Sequence, residues 1–167
     1  MLRSRIISLL PRPIAADDER SVDADPNVDF SRFRTFAIRQ GNINSRKPEI
    51  NSPLVRQRIE AAIRSELTAK GLSKDESRPD LVVTFRLGAA DQREVQRWPA
   101  GRFGRRTRNT TYKFTEGTLV IDLLERDGRE LVWRGIYTDE EKDAGKLSRK
   151  LTEDVKKLFE EYPPKKN

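Results

Sequence analysis

The chain contains no cysteine and no histidine. Together these absences remove thiolate nucleophiles, disulfides, the usual zinc and iron ligands, imidazole general bases and every Ser-His-Asp or Cys-His arrangement. Without cysteine the redox compartment leaves no mark, because cytoplasm and periplasm both suit such a chain. Long apolar runs are missing too, and no stretch approaches the ~18 residues of a transmembrane helix. Hydrophobic residues make up 35% of the chain against 37% charged, so the core must be modest and much of the surface ionic. The apolar residues are nevertheless clustered enough to fold, and 167 residues with the ends set aside leave about 130 to share one core.

The first 16 residues have the outline of a degenerate or truncated secretory signal. Arg3 and Arg5 supply a basic start, and Ile6-Ile7-Ser8-Leu9-Leu10 begins an apolar stretch. Pro11-Arg12-Pro13 cuts that stretch short of the usual run of about 7–15, and Ile14-Ala15-Ala16 is a weak cleavage site. Residues 17–29 read as a polar linker without periodicity, and 165–167 as a tail.

Between them, residues 30–164 read as a single domain. "FSRFRTFAI" places a short strand around Thr35 to Arg39. Ser52-Pro53 opens a helix of about 17 residues, with Val55, Ile59, Ala62, Ile63 and Leu67 on one face and Gly71 as its stop. Its outer face, carrying Arg56, Arg58, Glu60, Arg64 and Lys70, reads as solvated. "LVVTFRLGA", from Leu81, alternates as a strand. In "TYKFTEGTLVIDLLE" the apolar residues change from even positions (Tyr112, Phe114) to odd ones (Leu119, Ile121, Leu123) across Gly117, which predicts a bulge or sharp bend there. Leu147, Leu151, Val155, Leu158, Phe159 and Tyr162 form the stripe of a second helix, ended by Pro163-Pro164. The order βαβββα predicts an α+β two-layer sandwich, with two helices on one face of a largely antiparallel sheet.

The register of the hairpin in "GTLVIDLLERDGRELVWRG" follows from burial. A two-residue turn at Asp127-Gly128 mixes charged and apolar residues on both faces. A three-residue loop, Arg126 to Gly128 with Gly128 left-handed, pairs Leu123 with Leu131 and Ile121 with Trp133. It gathers Leu119, Ile121, Leu123, Leu131, Trp133 and Tyr137 on one face. Each such side chain contributes roughly 1.5–3 kcal/mol on burial, more than any turn preference. Asp122 and Arg134 then share the outer face as an exposed ion pair worth at most about 1 kcal/mol. The alternative, a carboxylate site joining Asp122 to Asp139 or Glu140 for acid-base or cation chemistry, has no support in the spacing.

The segments "DFSRFRTFAI", "SPLVRQRIEAAIRSELTAKGL", "PDLVVTF" and "EGTLVIDLLERDGRELVWRG" together resemble the bacterial envelope family catalogued as domain of unknown function 4136, over about Asp25 to Pro164. The resemblance implies an exported protein, often a lipoprotein, placed in the periplasm or cell envelope, with no established catalytic residues to carry over. A cytoplasmic location is the alternative. Two departures stand out: the signal is broken with no cysteine to accept a lipid, and the segment before "EGTLVIDL", typically rich in glycine and aromatics, is here rich in arginine.

That segment carries most of the net charge of +7. Arg93, Arg97, Arg102, Arg105, Arg106, Arg108 and Lys113 stand against a single acid, Glu94. Residues 90–110 read as a flexible arginine-rich loop, and these seven with Trp98 and Phe103 are the candidate anion or surface contacts. Arginine interleaved with Trp98, Phe103 and Tyr112 matches a single-stranded nucleic-acid contact, guanidinium on phosphate and ring on base. A cationic loop equally suits an anionic membrane surface, and a loop whose arginines merely keep it soluble is the third reading. Arg102-Phe103-Gly104 occurs once and no nucleic-acid motif accompanies it. The expectation is a non-enzymatic envelope domain with no catalytic, cofactor or metal site, acting through surface or protein contacts. The alternative is single-stranded nucleic-acid or anionic-surface binding through 93–113.

Overall fold

The computed structural model describes residues 19–165 apart from 89–91, 116 and 126, so the signal-like segment at 1–16 lies outside the described residues. The elements are β1 (Glu19–Ala24), β2 (Thr35–Ile43), α1 (Pro53–Ala69), β3 (Ser73–Lys74), β4 (Leu81–Leu87), β5 (Gln92–Ala100), β6 (Arg106–Phe114), β7 (Thr118–Glu125), β8 (Glu130–Thr138) and α2 (Ala144–Phe159). Six strands form one sheet in the order β1-β8-β7-β4-β2-β3. It is mixed: β2 runs parallel to both β3 and β4, and the other pairs are antiparallel. β5 and β6 pair only with each other, as a two-stranded ribbon.

The first helix starts at the expected cap, and the second has one that its stripe did not reveal. Ser52 accepts the Val55 amide through its hydroxyl with Pro53 in the first turn, and Asp143 does the same for Lys146 at the start of α2. Gly71, at φ +90, follows the end of α1. The stripes of the two helices meet Phe36, Leu81, Val83, Phe85, Leu119, Ile121, Leu123 and Trp133 in the main core. There the Trp133 ring stacks on Phe159 at 5.3 Å and meets Tyr162 edge-on. Arg58, on the outer side of α1, ties the helices together through the Ser148 hydroxyl and carbonyl.

The α+β class holds, but the molecule carries more strands than the sequence pattern suggests and its order is not βαβββα. The ribbon lies against the sheet face opposite the helices, where Tyr112 and Phe114 form a second apolar cluster with Val120 and Ile136. This makes three layers rather than two. Residues 90–110 are therefore not the expected loop: their described part is two paired strands joined by a short 3-10 turn at Arg102–Gly104, held by the face beneath them. Nor are residues 17–29 simply linker, since Glu19–Ala24 pairs along β8 from Glu19↔Thr138 to Ala24↔Trp133.

The bend at Gly117 is where the chain changes sheets. The Thr118 amide closes a turn on the Thr115 carbonyl, and a Cβ at Gly117 would stand 1.9 Å from the Asp139 carbonyl oxygen. The parity switch thus records the change of sheet: Tyr112 and Phe114 of the ribbon pack on the outer side of β7, whereas Leu119, Ile121 and Leu123 face the helices. In the β7–β8 hairpin Leu119, Ile121, Leu123, Trp133 and Tyr137 share the core face as expected, but Leu131 does not join them and the pairing is offset by two residues. Ile121 lies opposite Gly135 and Leu123 opposite Trp133, with a register shift beyond Leu123 that brings Leu124 opposite Leu131. Gly135 explains the choice: a Cβ there would stand 2.6 Å from the Trp133 ring, so the glycine leaves room for the indole. The shift lets Val132 join the core while Leu131 stays half-exposed. Gly128 is left-handed as expected, and Asp127 is too.

Candidate functional site

The outer face of the sheet carries a polar row set by register. Asp23 on β1 lies opposite Arg134 on β8, Arg134 opposite Asp122 on β7, and Asp122 opposite Thr84 on β4. The Arg134 guanidinium grips Asp122 through Nε and Nη2 at 2.6 and 2.7 Å, and its Nη1 donates to Glu94 of the ribbon at 2.9 Å. Glu94 in turn accepts from Arg86 at 3.0 Å. The Tyr112 ring covers Arg134 at 4.9 Å, and Phe114 lies under Arg86 at 5.1 Å. The expected exposed ion pair is in fact buried, with the Arg134 side chain only 4% exposed, because the ribbon closes over it.

A second set of bonds fixes the far end of the ribbon. Trp98 Nε1 donates to the Tyr112 hydroxyl at 2.9 Å, which donates to Asp23 at 2.8 Å. Arg108 places both Nη groups 3.1 Å from the same carboxylate. The ribbon therefore crosses the sheet from β4 to the edge strand β1, and its tip reaches Asn27, close to Gly104.

Electrostatics follow from this closure. Burial alone would lower the Arg134 pKa, but hydrogen bonds and charge from Asp122 and Glu94 outweigh it and raise it. Burial would raise the Glu94 carboxyl; Arg134 and then Arg86 outweigh that and hold it below its ordinary value. The Tyr112 phenol is pushed up to about 12, first by burial and then by Asp23.

The candidate contact residues divide accordingly. Trp98 is fully buried and Arg108 is paired, so both are structural. Arg93, Arg97 and Lys113 alternate with the inward Glu94, Trp98 and Tyr112, face outward and are exposed, Arg93 directly opposite Lys113. Arg102, Phe103, Arg105 and Arg106 form the tip, where Phe103 is 81% exposed and held at φ +64 between Gly101 and Gly104, themselves at positive φ. Among the described residues none of the six outward and tip cations uses its side chain in an ion pair or hydrogen bond. The structural role of Glu94, Arg86, Asp23 and Tyr112 has no signature in the sequence, because each depends on register between separate sheets.

The proposed carboxylate pairing is not assembled. Asp139 lies five residues beyond Arg134, roughly 16 Å along the strand. There it accepts the Glu141 amide and pairs with Lys150. Among the described residues no group of three or more acids could hold a metal ion, and no helix is long and apolar enough to cross a membrane.

The model of the family described as Domain of unknown function (DUF4136) matches residues 20–164. The chain belongs to this family. No curated protein matches it. Among solved structures it resembles a PDZ domain protein from Parabacteroides distasonis, with a TM-score of 0.55 and 19% identity, over 90% of this chain and 36% of that one. The chain thus spans about a third of that protein, and the likeness is one of fold alone. The PelC dodecamer from Paraburkholderia phytofirmans gives a TM-score of 0.47 at 11% identity, over 84% of this chain and 94% of that one. A minor lipoprotein from Acinetobacter baumannii gives 0.27 at 12%, over 73% and 87%. Both scores are too low to argue from.

Proposed function

We propose that this DUF4136 domain is a non-enzymatic contact module of the bacterial cell envelope whose working surface is the outer side and tip of the β5–β6 ribbon. One observation carries the reading: the ionisable groups buried beneath the ribbon are tied into a closed structural network, whereas six cations and Phe103 on its exposed side are left without partners among the described residues. Surface contact is the chemistry such an arrangement offers. A catalytic site would instead need a poised acid, base or nucleophile facing a concavity, and the perturbed groups here face one another. The envelope placement rests on the family resemblance. The nucleic-acid alternative keeps its arginines but loses most of its stacking platform, since Trp98 and Tyr112 are buried.

Fractionation of tagged protein expressed from its own upstream sequence tests the placement. Recovery with the periplasmic or membrane fraction is expected; a wholly cytoplasmic protein refutes it.

A further inference from the structure

The surface just described has one set of properties that selects a partner class. Its charge is of one sign: the outward positions of the ribbon, Arg93, Val95, Arg97, Asn109, Thr111 and Lys113, include no acid. Glu94, the acid of this segment, faces inward and is satisfied by Arg134 and Arg86. The acids near the tip lie in the chain beneath it, where Asp25 accepts the Asn27 amide and Asp29 the Ser31 amide.

The tip adds an apolar point to this cationic plane. Phe103 projects into solvent between Arg102 and Arg105, on a backbone conformation that a bulky side chain adopts at a cost. Val95, midway along the outward face between Arg93 and Arg97, is 64% exposed. Folding gains nothing from any of this: the Arg93–Lys113 pairing sets like charges opposite each other, and the exposed ring buries no core surface. A rigid strand ribbon about 26 Å long, with cations along one side and an aromatic ring at its end, fits an extended anionic layer with an apolar interior.

Resting on the proposed envelope reading, we infer that the ribbon docks on an anionic phospholipid bilayer. Arg93, Arg97, Lys113, Arg102, Arg105 and Arg106 meet headgroup phosphates, and Phe103 enters the boundary between headgroups and acyl chains. The fixed ribbon keeps ring and cations in one presentation, so binding needs both terms together. Neutral vesicles lack the first term. Soluble polyanions such as single-stranded RNA lack the second.

Sedimentation with phosphatidylglycerol/phosphatidylcholine vesicles and with phosphatidylcholine alone, at 0.05 and 0.5 M salt, tests this on the full chain, with an unstructured single-stranded RNA in parallel. Expected are binding to the anionic vesicles alone and loss at high salt as screening shortens. Phe103→Asn suits the left-handed backbone and spares the fold; it lowers vesicle affinity at least tenfold and leaves any RNA affinity unchanged. The triple variant Arg102→Gln, Arg105→Gln, Arg106→Gln lowers vesicle affinity on the order of a hundredfold. Because Trp98 and Trp133 are fully buried, Phe103→Trp places one exposed indole at the tip, whose emission shifts to the blue on anionic vesicles. Absence of vesicle binding, indifference to Phe103→Asn, an unshifted Phe103→Trp emission, or an RNA affinity that falls with Phe103→Asn as the vesicle affinity does each overturns the lipid assignment. A protein that fractionates with the envelope yet ignores the vesicles overturns it while leaving the wider reading intact.

Discussion

Arg134 is the residue on which both layers above and below the outer face converge, and its energetics are those of a buried charge. Taking a guanidinium out of water is costly unless every donor is matched, and here Asp122 and Glu94 match three of them. Asp122→Ala removes the bidentate partner and strands the cation. The expected cost is about 3–5 kcal/mol in urea unfolding, several times what an exposed pair would lose. Replacing both partners, Asp122→Leu with Arg134→Met, recovers a large part of that cost, because the penalty belongs to the unpaired charge rather than to the missing bond. Glu94 adds a pH dependence of definite sign. Its folded pKa lies below the ordinary 4.5, so its contribution is present in full above that value and is lost as pH falls through the folded pKa. Glu94→Gln therefore makes the decline in stability below about pH 4.5 shallower in acid titrations of the urea midpoint. The effect is modest because about a third of the carboxylate side chain remains exposed to screening solvent.

At the scale of elements, what was legible in the sequence and what was not have one physical cause. β4, β7, β8, α1 and α2 each bury one face against an apolar partner, so their periodicity is written in Leu, Val, Ile and Phe. β5 and much of β6 cover a face whose central row is itself charged, and the residues that fit it are Glu94, Tyr112 and Arg108. Alternation is present, but it reads polar on both sides, and hydrophobic patterning misses it. β1 escapes for a related reason: as an edge strand it packs only Val22 and Ala24 against the core. The candidate site was half legible. Composition located the cationic segment, but only the fold separates the buried Trp98 and paired Arg108 from the exposed tip. Removing 93–113 outright consequently does more than delete a contact surface. With a short linker in its place, Val120 and Ile136 lose their cover, at roughly 1.5–3 kcal/mol each, and Arg134 loses Glu94. That variant is expected to unfold at markedly lower urea and to bind hydrophobic dye, whereas Phe103→Asn leaves the midpoint within about 0.5 kcal/mol of the parent.

For the molecule as a whole, β1 is the seam between its layers. It closes the free edge of β8 along six residue pairs, and from the same strand Asp23 receives Arg108 and Tyr112 of the ribbon. The sheet edge and the ribbon are thus coupled through one short segment that composition alone assigns to a linker. A chain started at Asp25 is therefore expected to differ sharply from one started at Asp18. The Asp18 form retains β1 and should match the parent in urea midpoint. The Asp25 form exposes the unpaired groups of β8, a template for another strand, and releases the ribbon tip. It is expected to lose stability, to show fast amide exchange at Arg108 and Tyr112, and to associate through the bared edge, seen as oligomers in size-exclusion chromatography that disperse at low concentration. Equal midpoints and a monomeric Asp25 form would mean that the ribbon is held without β1, by Arg134 and Arg86 on Glu94 and by Tyr112 and Phe114 on Val120 and Ile136.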